Sequence, residues 1–171
     1  LSKVTIAFLQ FQRWLVDFTW RYFMRIPPPA LTLLCLFAIG ALDGVLPGLT
    51  LQFPGQIVLA SGIGLAGLTL VLIAIRGFYR VKTTVLPQEM ALSSTLVTGG
   101  VYPISRNPMY LGMAAIIAGP GLALGAWATL PVLAVFVWVI TTYQIIPEEQ
   151  ALTKSFGDEF VNYKAQVRRW I

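Results

Sequence analysis

Residues 108–146 form one apolar block, running from "PMYLGMAAIIAG" to "VFVWVITTYQII". A membrane-spanning helix needs about 20 mostly apolar residues. The block is too long for one span and about right for two. Gly119, Pro120, Gly121 and Gly125 offer the turn, near residues 123–127, and Pro120 is expected to kink the first of the two helices. Two further apolar runs, 30–49 and 56–75, are long enough to span. Only 11% of the 171 residues are charged, whereas a soluble domain carries about a quarter. Lipid is therefore the expected solvent. The fold class is all-α: a polytopic membrane protein with about four transmembrane helices, read as a single membrane domain over residues 1–171. Ala60, Gly64 and Gly67 share one face of the second span, where small side chains let helices approach closely. The single cysteine, Cys35, lies in an apolar run and reads as helix packing.

The charges set an orientation. Lys3, Arg13, Arg21 and Arg25 precede the first span. Arg76, Arg80, Lys82 and Arg106 lie between the second and third, and Lys154, Lys164, Arg168 and Arg169 follow the fourth. These are all 12 Lys and Arg of the chain. Under the positive-inside rule both termini and the middle segment are cytoplasmic, with Asp43, read as a loop residue near the end of the first span, and Gly125 outside. Topology accounts for the net charge of +5, so no nucleic-acid stripe is needed. Arg13, Asp17, Arg21 and Arg25 repeat every four positions among Phe8, Phe11, Trp14, Leu15, Phe18 and Phe23. Residues 1–26 thus read as an amphipathic helix lying in the membrane interface. Arg168 and Arg169 are expected to bind lipid headgroups.

The chain has no histidine. That removes His-based metal sites and the commonest general base. Polar chemistry collects in residues 76–110 and 144–171. In "SRNPMYLG", Asn107 suits an N-cap and Pro108 a first helical position, so the third span starts there with its free N–H groups at the cytoplasmic interface. Arg106 adds a full charge, and an anion would be held well. Pro147 is likewise expected to begin a helix, with Glu148 and Glu149 in its first turn. A hairpin of the last two spans brings Arg106 and the two acids to one level. They form either a polar pocket or two well-anchored helix starts. Tyr102 and Tyr110 read either as pocket walls or as interfacial aromatics.

"LVTGGVYPISRNPMYLG" and "PEEQALTKSFGDEFVNYKAQVRRW" resemble the two C-terminal signatures of the isoprenylcysteine carboxyl methyltransferase family, whose wider group includes phospholipid N-methyltransferases. The resemblance covers residues 83–171. It implies S-adenosylmethionine as cofactor on the cytoplasmic side of the last two spans. The implied cofactor contacts are Gln88, Ser94, Leu96, Val97, Tyr102, Asn107, Pro108, Met109 and Tyr110, with Arg106, Glu148 and Glu149 in the catalytic role. Residues 76–171 would then be the cofactor-binding region, behind the first two spans at 30–75. Two positions depart from the family pattern. Asn107 stands where the family has histidine, as in the bacterial "RNPMY" variant, and Gln144 stands where the eukaryotic enzymes have an arginine facing the acceptor. The second departure argues against a prenylcysteine carboxylate as acceptor.

The chemistry agrees with the residues. Methyl transfer from a sulfonium needs alignment and exclusion of water rather than a metal or a histidine. The expectation is an S-adenosylmethionine-dependent methyltransferase in a bacterial inner membrane. It would act on a lipid-like or small hydrophobic acceptor among membrane lipids, with no metal and no nucleic-acid partner. The rivals are a membrane reductase of the sterol-reductase type, with a nicotinamide cofactor, and a non-catalytic lipid-binding scaffold.

Overall fold

A computed structural model of the chain describes residues 26–45, 50–80 and 95–171. The expected interfacial helix over 1–26, Lys82, Gln88 and Ser94 lie outside the described residues, save for Ile26 at the helix's edge. The described residues form helices α1 (Pro28–Val45), α2 (Gln56–Arg80), α3 (Pro108–Leu124) and α4 (Thr129–Ile140). A π-helical turn, Thr141–Ile145, joins α4 to α5 (Ile146–Phe156), and α6 (Asp158–Gln166) follows. There are no strands among them, only an isolated bridge between Thr50 and Ala126.

Among the described residues three helical stretches are long and apolar enough to cross a membrane: Pro28–Val45, Gln56–Tyr79 and Thr129–Phe156. Helix α3 is a shorter apolar helix of 17 residues. At about 1.5 Å per residue it still spans most of a hydrocarbon core about 30 Å thick. Leucines 33, 34, 59, 65, 68 and 72 and Trp138 are exposed. In water such a surface would be a liability; in lipid it is the outer wall of the fold. The protein is an all-α membrane protein.

Helices α2 and α3 touch backbone to backbone. A Cβ at Gly67 would stand 2.6 Å from the Gly112 carbonyl oxygen, and one at Gly112 would stand 2.6 Å from that of Gly67. One at Gly119 would stand 2.8 Å from the Ala60 carbonyl oxygen. The small face read from Ala60, Gly64 and Gly67 is thus met by a matching face of Gly112, Ala115 and Gly119. The core beside it gathers Ile39, Met113, Ile117, Phe136 and Ile140 from α1, α3 and α4, with Cys35 buried among them.

The α3–α4 turn falls where the glycines placed it. Gly125 closes α3 at φ 69, a left-handed conformation that glycine adopts without penalty. Leu51 N–H donates to the Gly125 carbonyl at 2.8 Å, and the Gln56 amide donates to that of Leu122 at 2.6 Å. These bonds satisfy carbonyls that end α3. Pro120 stands inside α3 rather than ending it.

Two local expectations need correction. Asp43 lies within α1, not in a loop. Asn107 occupies the N-cap position of α3, but its side chain makes no cap bond; its amide donates instead to the Arg169 carbonyl at 2.9 Å. Pro147 does stand at the start of α5, with Glu148 and Glu149 in its first turn, but α5 continues α4 without a break. The backbone stays right-handed helical through Thr141, Ile145 and Ile146, and the stretch Thr129–Phe156 runs on as one 28-residue helix. Proline removes an i→i−4 donor and crowds the carbonyl of the preceding turn. The wide π turn at 141–145 lies just where that crowding would fall, which lets the helix pass through.

Candidate functional site

The site lies where the lead-in to α3, the start of α5 and the segment after α6 converge. Glu148 and Glu149 are both buried, at 7% and 8% exposure, yet they are partnered differently. The Tyr110 hydroxyl donates to Glu148 Oε1 at 2.6 Å. Among the described residues Glu148 has no ion pair. Glu149 has two: Arg106 Nη2 lies 3.1 Å from its Oε1, and Arg169 donates through Nε to Oε1 at 3.0 Å and through Nη2 to Oε2 at 2.8 Å. A buried carboxylate is costly unless paired. Two guanidiniums meet that cost for Glu149, whereas a phenol meets only part of it for Glu148.

Arg106 is the complementary case. Its side chain is 8% exposed. Beyond Nη2, its Nε and Nη1 have no hydrogen-bond partner among the described residues. Both Arg106 and Glu148 line a cavity whose other walls include Phe78, Leu96, Val97, Tyr102, Asn107, Glu149, Phe160 and Tyr163. A neighbouring cavity is bounded by Phe78, Tyr102, Arg106, Asn107, Pro108, Met109, Tyr110 and Glu148. The structure thus brings together Leu96, Val97, Tyr102, Arg106, Asn107, Pro108, Met109, Tyr110, Glu148 and Glu149. Gln88 and Ser94 lie outside the described residues.

The tyrosines are fixed by hydrogen bonds rather than free at an interface. Tyr102 is buried and its hydroxyl donates to the Ala74 carbonyl at 3.4 Å. Burial, with Tyr163 and Glu148 nearby, holds its phenol well above the usual tyrosine range, so it stays a donor. Tyr163 donates to the Tyr102 carbonyl at 2.8 Å, and burial pushes its phenol up to about 12. Phe78 meets Tyr102 edge-on at 5.8 Å between centroids.

One expectation fails here. Arg169 is not a free headgroup binder: the Glu149 carboxylate holds it and raises its guanidinium above the ordinary arginine range. Sequence reading also passed over Phe78, Ser105 and Tyr163 as site neighbours. The signal available for Arg169 was weak, an arginine beside a tryptophan 20 residues beyond its partner. Gln144 is buried, and its amide donates to the Ile26 carbonyl at 3.4 Å, away from both cavities. Among the described residues no cluster of His, Cys, Asp or Glu could hold a metal ion.

Comparison with known proteins adds a family. A 64-residue stretch is 44% identical to an uncharacterized protein of Haemophilus influenzae, covering 37% of this chain and all of that protein. A 72-residue stretch is 31% identical to the protein-S-isoprenylcysteine O-methyltransferase of Schizosaccharomyces pombe, covering 42% of this chain and 30% of that enzyme. No solved structure matches. The phospholipid methyltransferase family pattern fits residues 55–159, which take in α2, α3, α4 and the glutamate pair. The chain therefore belongs to the phospholipid methyltransferase family.

Proposed function

We propose that the protein is an S-adenosylmethionine-dependent methyltransferase that acts at the cytoplasmic membrane face on a lipid-like or small hydrophobic acceptor. The observation that carries this reading is a separation of unmet charge within one buried site. Among the described residues, Glu148 offers a carboxylate answered only by Tyr110, and Arg106 offers two unpartnered donor nitrogens. Such a site suits a ligand with a cationic and an anionic group on one small frame. S-adenosylmethionine has both, and when bound it supplies an activated methyl group on a sulfonium.

In this reading Leu96, Val97, Tyr102 and Phe78 form the apolar wall for the adenosine part, with Gln88 and Ser94 as further contacts. Asn107, Pro108, Met109 and Tyr110 frame the second cavity, Arg106 takes an oxyanion and Glu148 faces the cationic group. Glu149 anchors Arg106. The chain's contribution is alignment and exclusion of water; no proton needs to move for the methyl to leave a sulfonium. Residues 1–171 act as one membrane domain, with the site carried by 76–171.

Calorimetry of the purified protein in detergent tests this. S-adenosylhomocysteine is expected to bind, and Tyr110→Ala to weaken it. Heat with a nicotinamide nucleotide and none with S-adenosylhomocysteine would establish the reductase instead. Mass spectrometry of a membrane lipid extract incubated with labelled cofactor identifies the acceptor.

A further inference from the structure

Beyond α6 the chain turns extended at Val167, φ −119 and ψ 132, and runs back along the lead-in to α3. Arg106 N–H donates to the Arg168 carbonyl at 3.0 Å. The Asn107 amide and the Ser105 hydroxyl both donate to the Arg169 carbonyl, at 2.9 and 3.4 Å. Trp170 Nε1 donates to Thr141 Oγ1, on the π turn, at 3.3 Å. The tail is therefore tied by its main chain to the lead-in to α3 and by Trp170 to the helical stretch that carries the glutamates. The Arg169 side chain, 35% exposed, reaches Glu149 without lining the cavity.

We propose that Arg169 is a positioning residue for the cofactor site: it holds Glu149 in a two-pronged ion pair, so that Glu149 grips Arg106 by one nitrogen and leaves the other two nitrogens for an anionic group of the ligand. This rests on the methyltransferase reading above. Carboxylate and guanidinium prefer two parallel hydrogen bonds. With Arg169 removed, Glu149 is free to turn and take Arg106 by that fork, which occupies its donors and cancels its charge. With Arg169 present, one carboxylate is shared by two guanidiniums, and one positive charge is left over at Arg106. The tail's bonds to Ser105, Arg106 and Asn107 use backbone carbonyls, so they survive loss of the Arg169 side chain.

The test uses the full chain in detergent, with calorimetry on two probes. S-adenosylhomocysteine carries a carboxylate, and methylthioadenosine lacks the whole amino-acid part. Arg169→Ala is expected to weaken S-adenosylhomocysteine about tenfold, by analogy with the outer partners of metal ligands. Methylthioadenosine binding and the thermal midpoint should stay near wild type. Arg169→Lys keeps the charge without the fork and should recover only part of the loss. In a Glu149→Gln background Arg169→Ala should cost nothing more, because its effect runs through Glu149. Unchanged S-adenosylhomocysteine affinity overturns the proposal, as does a parallel loss for both probes with a falling midpoint, or a full additional loss in the Glu149→Gln background. If Arg169→Ala does not fold, wild-type affinity in Arg169→Lys overturns it. A wild-type chain that binds neither probe overturns the functional reading, and the proposal with it.

Discussion

Glu148 and Glu149 are adjacent in the chain and opposite in circumstance. Glu149 is pinned by Arg106 and Arg169, while Glu148 meets, among the described residues, only the Tyr110 hydroxyl. Glu148→Gln keeps the shape and removes the charge. Methyl transfer is expected to fall roughly 10²–10³-fold, or about 2.7–4 kcal/mol, by analogy with lost donors in dry active sites. The thermal midpoint should hardly move, since relieving a buried, poorly compensated charge costs the fold little. Arg106→Ala should lower turnover similarly with little change in midpoint, because Glu149 keeps its two-pronged pair with Arg169. Turnover assays and thermal scans of both variants check this pair of outcomes, and near-normal turnover in both would reduce the motif to a helix start. The residues themselves were legible in "RNPMY" and "PEEQ", because each motif is local. Their division of labour was not, because it is decided by Arg169, which reaches Glu149 from the far side of α6.

Among the elements, the α2–α3 seam is the most constrained. Gly67→Leu forces two backbones apart, and overpacking of this kind typically costs about 1–3 kcal/mol. A lowered thermal midpoint is the expected result. Gly62→Leu is the control, on the same helix but with nothing within 4 Å of its Cβ; its midpoint should match wild type. Equal midpoints for the two variants would contradict the seam. Small-residue spacing made one half of this contact readable in α2. The partner half on α3 could not be assigned, since spacing alone does not say which helix lies opposite. The π turn was missed for a related reason. Pro147 was read by its usual role at a helix start, and nothing local to a proline tells whether a preceding turn has widened to admit it.

At the scale of the whole molecule, apolar length and the glycine-rich turn gave the helices and their hairpin. The tail's return into the site depends on contacts distant in sequence and left no pattern to read. Orientation is a prediction: cysteines placed at Gly125 and Lys164, in a Cys35→Ser background, should label from opposite sides of the membrane, with Lys164 cytoplasmic. Labelling of Lys164 from outside would reverse the topology. The continuity of α4, the π turn and α5 has a mechanical meaning as well. The rod long enough to cross the bilayer also carries Glu148 and Glu149 near one end, with the helix unbroken between anchor and carboxylates. A helix answers a bilayer of unmatched thickness by tilting, and here tilt becomes displacement of the carboxylates relative to Arg106 and Tyr110. The host membrane's thickness should therefore tune the site: S-adenosylhomocysteine affinity is expected to pass through a maximum across vesicles of increasing acyl-chain length, and a flat profile would mean that the π turn absorbs the tilt as a joint.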